Sequence, residues 1–568
     1  MMLARRVTRY ISTHATATPP PAVTFQSTSR RYSTGKPVQT RLSHSKLLSG
    51  GIVVTSVLGL GYFALHRRDD SKGDVTKPRT HLSTLIRTYC VFAMCSMPAL
   101  VDKSPAILDV LTSIPLGVKQ LTYTFVRHTF FNQFVGGDTA QDCVPLLERL
   151  SAENKGGVLV YSVEVGQAST TETPQEARAR AKGIVRQTIQ TIDVVADTMD
   201  ARAEPADRHR NHWIAIKLTG MVPRTQSLIN LSRHLTKARQ SAHPSQIPFP
   251  GCPTPSELDF LIQGSSVPSM GSTLSAQDIS DLRELYADLE HICSHCQKRG
   301  VKILIDAEHS WFEPAIDAMG LSLMQKFNSL SNTSRSSPLP LVYVTFQAYL
   351  RRNKEYLIQS LEDAHAGNFS LGIKLVRGAY QMLELQQHEL ALKGNTQASL
   401  SISPESKPPT WDTKPETDQC YNDCVRILLS ALHKDILDSR NPHIGIMFGT
   451  HNSDSCELIL DKLVEFGLAE KSSEATGAGV TKIPREVSER MTIAQLYGMS
   501  DALGESLIER TQTETPLVVK YVPYGALSEV MPYLSRRAIE NKSVLGEGKA
   551  VAERKRAGEE IWRLFFNN

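Results

Sequence analysis

A chain of 568 residues, 41% hydrophobic and 21% charged, can bury a large core, so its length allows several domains or one large α/β barrel with insertions. The net charge of +5 comes from one end: residues 1–68 contain Arg5, Arg6, Arg9, Arg30, Arg31, Lys36, Arg41, Lys46, Arg67 and Arg68 and no Asp or Glu, and the remainder is slightly acidic. No basic, aromatic-laced patch stands out beyond that segment, which argues against a nucleic-acid binder.

Residues 1–46 are rich in Arg, Ser and Thr and free of acid, the composition of a mitochondrial transit peptide. A disordered basic tail is the competing reading. The cleavage neighbourhood is placed near residues 30–33 (RRYS). Residues 47–65 (LLSGGIVVTSVLGLGYFAL) are uncharged and close to the roughly 20 residues a bilayer span needs. They read as a transmembrane or membrane-anchoring segment, with a presequence extension or an interfacial segment as alternatives. Residues 80–134 are helical in pattern and partly apolar, and are expected to pack beside the main domain as an arm.

From there β-branched apolar runs alternate with helical patterns. Strands are expected at 157–165, 212–218, 301–307, 341–346, 371–376, 443–449, 490–496 and 516–522, and helices at 175–200, 276–299, 421–434 and 455–466, among others. Most of the runs are continuously apolar, as parallel strands covered on both faces are. Strands alternating with helices predict an α/β fold, either a doubly wound sheet or a barrel, and a count of eight favours the (βα)8 TIM-type barrel. Residues 239–275 and 394–415 are rich in Pro, Ser and Gly and read as surface-loop insertions in a barrel domain spanning 135–550. Residues 551–568 form a C-terminal helical tail. The nine cysteines are scattered; Cys293 and Cys296 form a CxxC inside a helical pattern with no second pair, so reduced structural thiols are expected.

Barrel enzymes carry their chemistry at the C-terminal ends of the strands. Those ends here present Lys217 (IAIKL), Asp306 and Glu308 (ILIDAEH), Gln347 (VTFQAY), Lys374 and Arg377 (IKLVRGAY), His451 and Asn452 (FGTHN), Gln495 (AQLYG) and Tyr521 (VVKYVPYG). Beyond the last strand a Pro-Gly turn leads into a helix bearing Arg536 and Arg537. Two guanidinium forks can grip one small carboxylate, and Glu540, one turn on, can hold Arg536 in place. A solvated helix face is the plainer reading of such a pair; its position just past a strand end favours the clamp. Lysines at strand ends also suit a Schiff-base aldolase. Arg377-Gly378-Ala379 suits a pyrophosphate, because small residues let the backbone approach a ligand. There is no GxGxxG opening a helix after a strand and no HExxH, so neither a Rossmann fold nor a metal site has support.

IKLVRGAY, GTHN, QLYGMSD and YVPYG followed by YLSRRAIEN, in this order, resemble the proline dehydrogenase (proline oxidase) family over residues 130–545, and the basic N-terminus resembles that of a eukaryotic mitochondrial member. The resemblance implies a distorted (βα)8 barrel whose last helix folds over the mouth, with FAD bound non-covalently at the strand ends. It implies oxidation of L-proline to Δ1-pyrroline-5-carboxylate, with electrons passed through FAD to a membrane quinone on the matrix side of the inner mitochondrial membrane. By motif position, Arg536 and Arg537 pair with the proline carboxylate and Glu540 orients them. Tyr380 and Tyr521 line the substrate pocket, Leu375 packs against the ring, and Lys217 and Asp306 form the network beneath. Lys374 lies beside the flavin near N5, while Gln347, Arg377, Gly378, Ala379, His451 and Asn452 contact the rest of FAD. Lys414, Thr417 and Asp418 (TKPETD) reach its adenosine half.

Bacterial members often carry Arg at the position of Lys374 and Lys at that of Arg377. Val160 stands where relatives commonly have Asp, and Glu164 is the candidate for the acidic edge there. Relatives that use hydroxyproline carry a smaller residue where Tyr521 stands, so the tyrosine favours proline. A hydroxyproline dehydrogenase, a Schiff-base aldolase and a membrane-tethered barrel without activity are the alternative readings.

Overall fold

The computed structural model describes residues 82–566 except 115–116, 163–171, 202–211, 243–246, 264–273, 332–338, 396, 439–442, 473–478 and 544–548. Residues 1–81, with the expected transit peptide and the apolar 47–65 segment, lie outside the described residues, as does Glu164.

Eight parallel strands close into one barrel in sequential order: β1 (Lys155–Tyr161), β2 (His212–Ile216), β3 (Lys302–Ile305), β4 (Val342–Gln347), β5 (Leu371–Val376), β6 (Ile444–Gly449), β7 (Met491–Leu496) and β8 (Val518–Tyr524), with β8 returning to β1. Every expected strand is present. Each is buried on both faces, which is why the sequence shows unbroken apolar runs where a half-exposed strand would alternate. Strand parity divides the core in two. Val158, Trp213, Leu304, Tyr343, Met447 and Val519 fill the lumen, while Ile214, Ile303, Ile373, Ile446 and Ile493 face the surrounding helices.

The lumen has an aromatic floor. Trp213 and Tyr343 meet edge to face at 4.5 Å. Tyr343 fits because its neighbours on β5 and β6 lack side chains: a Cβ on Gly372 would lie 2.8 Å from the tyrosine ring, and one on Gly445 would lie 2.3 Å from its hydroxyl. The floor closes the barrel below the strand ends.

Two helices show why local sequence placed them correctly. Pro174–Asp200 and Ala276–Arg299 each open on a capping box, Thr173 with Glu176 and Ser275 with Asp278, and the second ends at left-handed Gly300. Cys293 and Cys296 are buried on Ala276–Arg299, where burial pushes their thiols up. They are packing residues.

The 239–275 and 394–415 stretches differ from surface loops. Phe249, Leu258, Phe260 and Leu261 are buried, and Trp411 packs against the same core. Buried ion pairs and backbone contacts tie the stretches down: Arg239 grips Glu257 at 2.7 Å, Arg352 donates to the Gly251 carbonyl at 2.5 Å, and the Phe249 N–H donates to Glu405 at 2.5 Å. Their overall polarity concealed a few apolar anchors set between prolines.

The segment before the barrel is helical, with Leu82–Cys95, Pro98–Ser113 and Val118–Val126 followed by a π-helical turn at Arg127–Phe131. Phe131, Phe134 and Val126 share a cluster with Val530, Tyr533 and Leu534 of the last barrel helix, Leu527–Ser543. Gln133 locks this arm to the loop after β7 by donating to the Gly498 carbonyl at 3.0 Å. Gly498 has φ +74°, and a Cβ there would lie 1.8 Å from the Gln133 carbonyl oxygen.

Candidate active site

The lumen-facing parity of the strands converges at their C-terminal ends on three charged or polar groups. Asp306, just past β3, accepts hydrogen bonds from Lys374 of β5 at 2.7 Å and from the Tyr521 hydroxyl of β8 at 2.5 Å. The Lys374 ammonium also lies 4.8 Å from the centre of the Tyr521 ring. All three are buried. Burial, reinforced by the Asp306 carboxylate, holds the Tyr521 hydroxyl well above the ordinary tyrosine value, so it stays a donor.

Lys217 follows β2 at the same level, and its charge bears on Glu308. Glu308 accepts from the Thr219 N–H at 3.1 Å and the Thr219 hydroxyl at 2.5 Å, yet burial still lifts its carboxyl above the usual range. Gln347, the last residue of β4, donates to the Glu308 carbonyl at 3.0 Å.

The helix Leu527–Ser543 contributes the arginines. Arg537 is buried and donates to Glu540 at 2.5 Å, three residues on. Glu540, the carboxylate expected to orient the arginines, thus holds Arg537. Tyr533 lies beneath both guanidinium groups, its ring centre 4.9 Å from Arg537 and 6.0 Å from Arg536. Arg536 also lies 5.8 Å from the Tyr380 ring, which brings the clamp to the loop after β5. The Arg537 Nε and the Tyr533 hydroxyl are buried with no hydrogen-bond partner among the described residues. An uncompensated buried donor is costly, and a carboxylate ligand would relieve it.

A third cluster lies beyond β5 and β6. Arg377 donates to Asp418 at 2.6 Å, to Thr450 at 3.1 Å and to Ser455 at 2.9 Å, and stacks 4.3 Å over Tyr421. It braces two helices, Lys414–Asp438 and Ser453–Glu465. Burial alone would raise Asp418, but hydrogen bonds from Lys414 and Arg377 outweigh it and hold its carboxyl below the ordinary value. Lys414 is largely exposed and Thr417 is buried on the same helix. Asn452 caps the Ser453–Glu465 helix by accepting from the Ser455 N–H at 2.9 Å. His451 Nε2 accepts from the Leu496 N–H at 3.2 Å, which puts the imidazole proton on Nδ1. Gly378 has φ +120° and a Cβ there would meet the Tyr349 ring at 2.3 Å; beside it, Ala379 is exposed.

Two expected residues lie elsewhere. Leu375 is fully buried in the outer layer with Ile373 and Phe448, because it has the opposite parity to Lys374, so it does not line the lumen. Gln495 likewise faces outward and accepts from the buried Lys520 at 3.0 Å. The lumen-facing end of β7 is Leu496, paired in register with Tyr521.

His309 was also missed as a site residue. It stacks on Trp311 at 4.3 Å, lies 4.2 Å from Tyr380, and its Nδ1 is 3.6 Å from buried Glu384. Tyr533 was detectable from its spacing, three and four residues before the arginines.

The fold and this site define a class: a parallel (βα)8 barrel with a buried Asp–Lys–Tyr network at its strand ends and two adjacent arginines on the helix after its last strand. Residues 146–549 match the family model described as proline dehydrogenase, and the chain belongs to that family. Among its relatives, proline dehydrogenase 1, mitochondrial, of Dictyostelium discoideum is 27% identical over 85% of this chain and 73% of its own. The Arabidopsis thaliana protein of the same name is 28% identical over 82% of this chain and 81% of its own. Hydroxyproline dehydrogenase of Mus musculus is 26% identical over 84% of this chain and 91% of its own. A crystal structure of proline utilization A from Bdellovibrio bacteriovorus shares the fold with a TM-score of 0.55 at 14% identity. The match covers 86% of this chain and 41% of that longer one.

Proposed function

We propose that this chain is an FAD-dependent mitochondrial enzyme that oxidises L-proline to Δ1-pyrroline-5-carboxylate and delivers the electrons to a membrane quinone on the matrix side of the inner membrane. The observation that carries this reading is the Arg536–Arg537 pair held over the Asp306–Lys374–Tyr521 network in a chain of this family.

The residues present fit a flavin dinucleotide. Exposed backbone at Gly378 and Ala379 admits a close ligand, since a side chain at 378 has no room. The N-terminus of the Ser453–Glu465 helix, with Asn452 and His451, suits the pyrophosphate. Lys374 belongs to the ring side, Gln347 and Arg377 to the rest of the cofactor, and Lys414 and Thr417 to its adenosine half. Held there, the flavin would supply the acceptor for a hydride from C5 of the substrate ring.

The chain's own residues bind, orient and deprotonate. Arg536 and Arg537 fork the substrate carboxylate, and Glu540 fixes the direction of Arg537. Tyr380, Tyr521 and Leu496 wall the ring. Hydride loss needs the amine as its free base, and the cationic set Arg536, Arg537 and Lys217 disfavours an ammonium in the mouth, so its proton leaves to water on binding. Positioning and electrostatics are the protein's contribution.

Hydroxyproline oxidation is the second reading, prompted by the mouse relative's name. The full-sized Tyr521, fixed by Asp306, favours the unsubstituted ring. A spectrum of purified protein tests the proposal: flavin absorption bleached by proline is expected, with kcat/KM higher for proline than for hydroxyproline. A flavin-loaded protein that proline does not bleach sinks it, and a colourless protein trapped by borohydride with substrate would point to the aldolase.

A further inference from the structure

The helical arm is chemically unlike the rest of the chain. Residues 82–134 carry only six charged side chains, Arg87, Asp102, Lys103, Asp109, Lys119 and Arg127, with no Glu. Its Pro98–Ser113 and Val118–Val126 helices nevertheless expose large aliphatic residues. Val110 is 61% exposed and Leu121 72%, and Met97, Leu100, Ile107 and Ile114 accompany them. A folded surface normally scatters such residues singly.

A cleft of about 160 Å³ opens on this face, with Leu100 and Ile107 in its lining. Its inner wall is Met531, Leu534 and Ala538, one apolar stripe of the helix whose other residues include Arg536 and Arg537. The Val118–Val126 helix also borders an open depression of about 500 Å³ lined by Lys119, Arg127 and His128, with Asp138 paired to Arg127.

We propose that this helical hairpin is the face by which the protein lies on an anionic phospholipid bilayer, its aliphatic side chains in the acyl boundary and Lys103, Lys119 and His128 at the headgroups. The proposal rests on the reading that electrons leave to a membrane acceptor, and gives that exchange a location. The exposed set is aliphatic and lacks the Trp and Arg anchors that concentrate binding energy in protein interfaces, which favours lipid over a second copy.

The test is hydrogen–deuterium exchange on the full flavin-loaded chain, with and without vesicles of phosphatidylcholine and phosphatidylglycerol. Peptides from 97–126 should exchange several-fold more slowly on vesicles. The double variant Val110→Asp, Leu121→Asp should lose that slowing while proline still bleaches its flavin in detergent. Vesicle-bound protein with unchanged hairpin exchange, or no vesicle binding, overturns the proposal. Slowing that rises with protein concentration in the absence of lipid also overturns it and assigns the face to a second copy. Failure of proline to bleach the wild-type flavin is read separately and counts against the catalytic reading alone.

Discussion

Adjacent residues on a helix point about 100° apart, so Arg536 and Arg537 reach a shared ligand from different sides. Arg537 is buried, bonded to Glu540 and stacked on Tyr533, while Arg536 lies nearer Tyr380. Replacing Arg536 with Met should raise KM for proline by the equivalent of about 2–5 kcal/mol with flavin retained; an unchanged KM would remove the carboxylate assignment. Tyr521 makes a different prediction. Its hydroxyl keeps its proton far above neutral pH because it is buried beside Asp306. Any alkaline limb in the pH profile of kcat/KM below pH 10 therefore belongs to another group. Tyr521→Phe should keep that limb and lower kcat/KM by about 1.5–3 kcal/mol, the worth of a hydrogen bond to a charged group. A limb that vanishes in the phenylalanine variant would show that Tyr521 titrates.

The elements hold these residues through close approaches that tolerate only glycine. Gly378→Ala would force a Cβ against Tyr349 at a φ of +120°. A strain of about 1–3 kcal/mol is expected, with a folded protein that purifies with less flavin, read from its absorbance ratio and melting temperature. Full flavin loading and unchanged melting would show that the loop does not need its glycine. At this scale the sequence was legible in period and illegible in parity. The runs at 371–376 and 490–496 announced strands, yet an apolar run buried on both faces does not reveal which alternate residues face inward. That is why Gln495 stood among the strand-end candidates and Leu496 did not, whereas Leu375 came from the family resemblance and the structure turns it outward. The two insertions failed for a related reason: average polarity does not report that Phe249, Leu258 and Trp411 each find a place in the core.

Across the whole molecule, the arm and the barrel share one apolar cluster at the back of the clamp helix. Phe134 is fully buried there, 6.3 Å from Phe92 and edge to face with it. Phe134→Ala should cost about 3–5 kcal/mol in denaturant unfolding and also raise KM for proline, because the cavity lies behind the helix that carries the arginines. Lost stability with an unchanged KM would show that the arm is only a brace.

The sequence by itself determined the barrel, its eight strands, the rim of charged residues at their ends and the family, because strand period and ordered local motifs are written in contiguous residues. Only the tertiary structure decided the partners. Asp306, Lys374 and Tyr521 come from the ends of three different strands, Glu540 bonds Arg537, Arg377 became a brace between two helices, and the arm came to rest behind the helix that carries the arginines. Each of these depends on strand register and helix packing across the molecule, which no local window of residues contains.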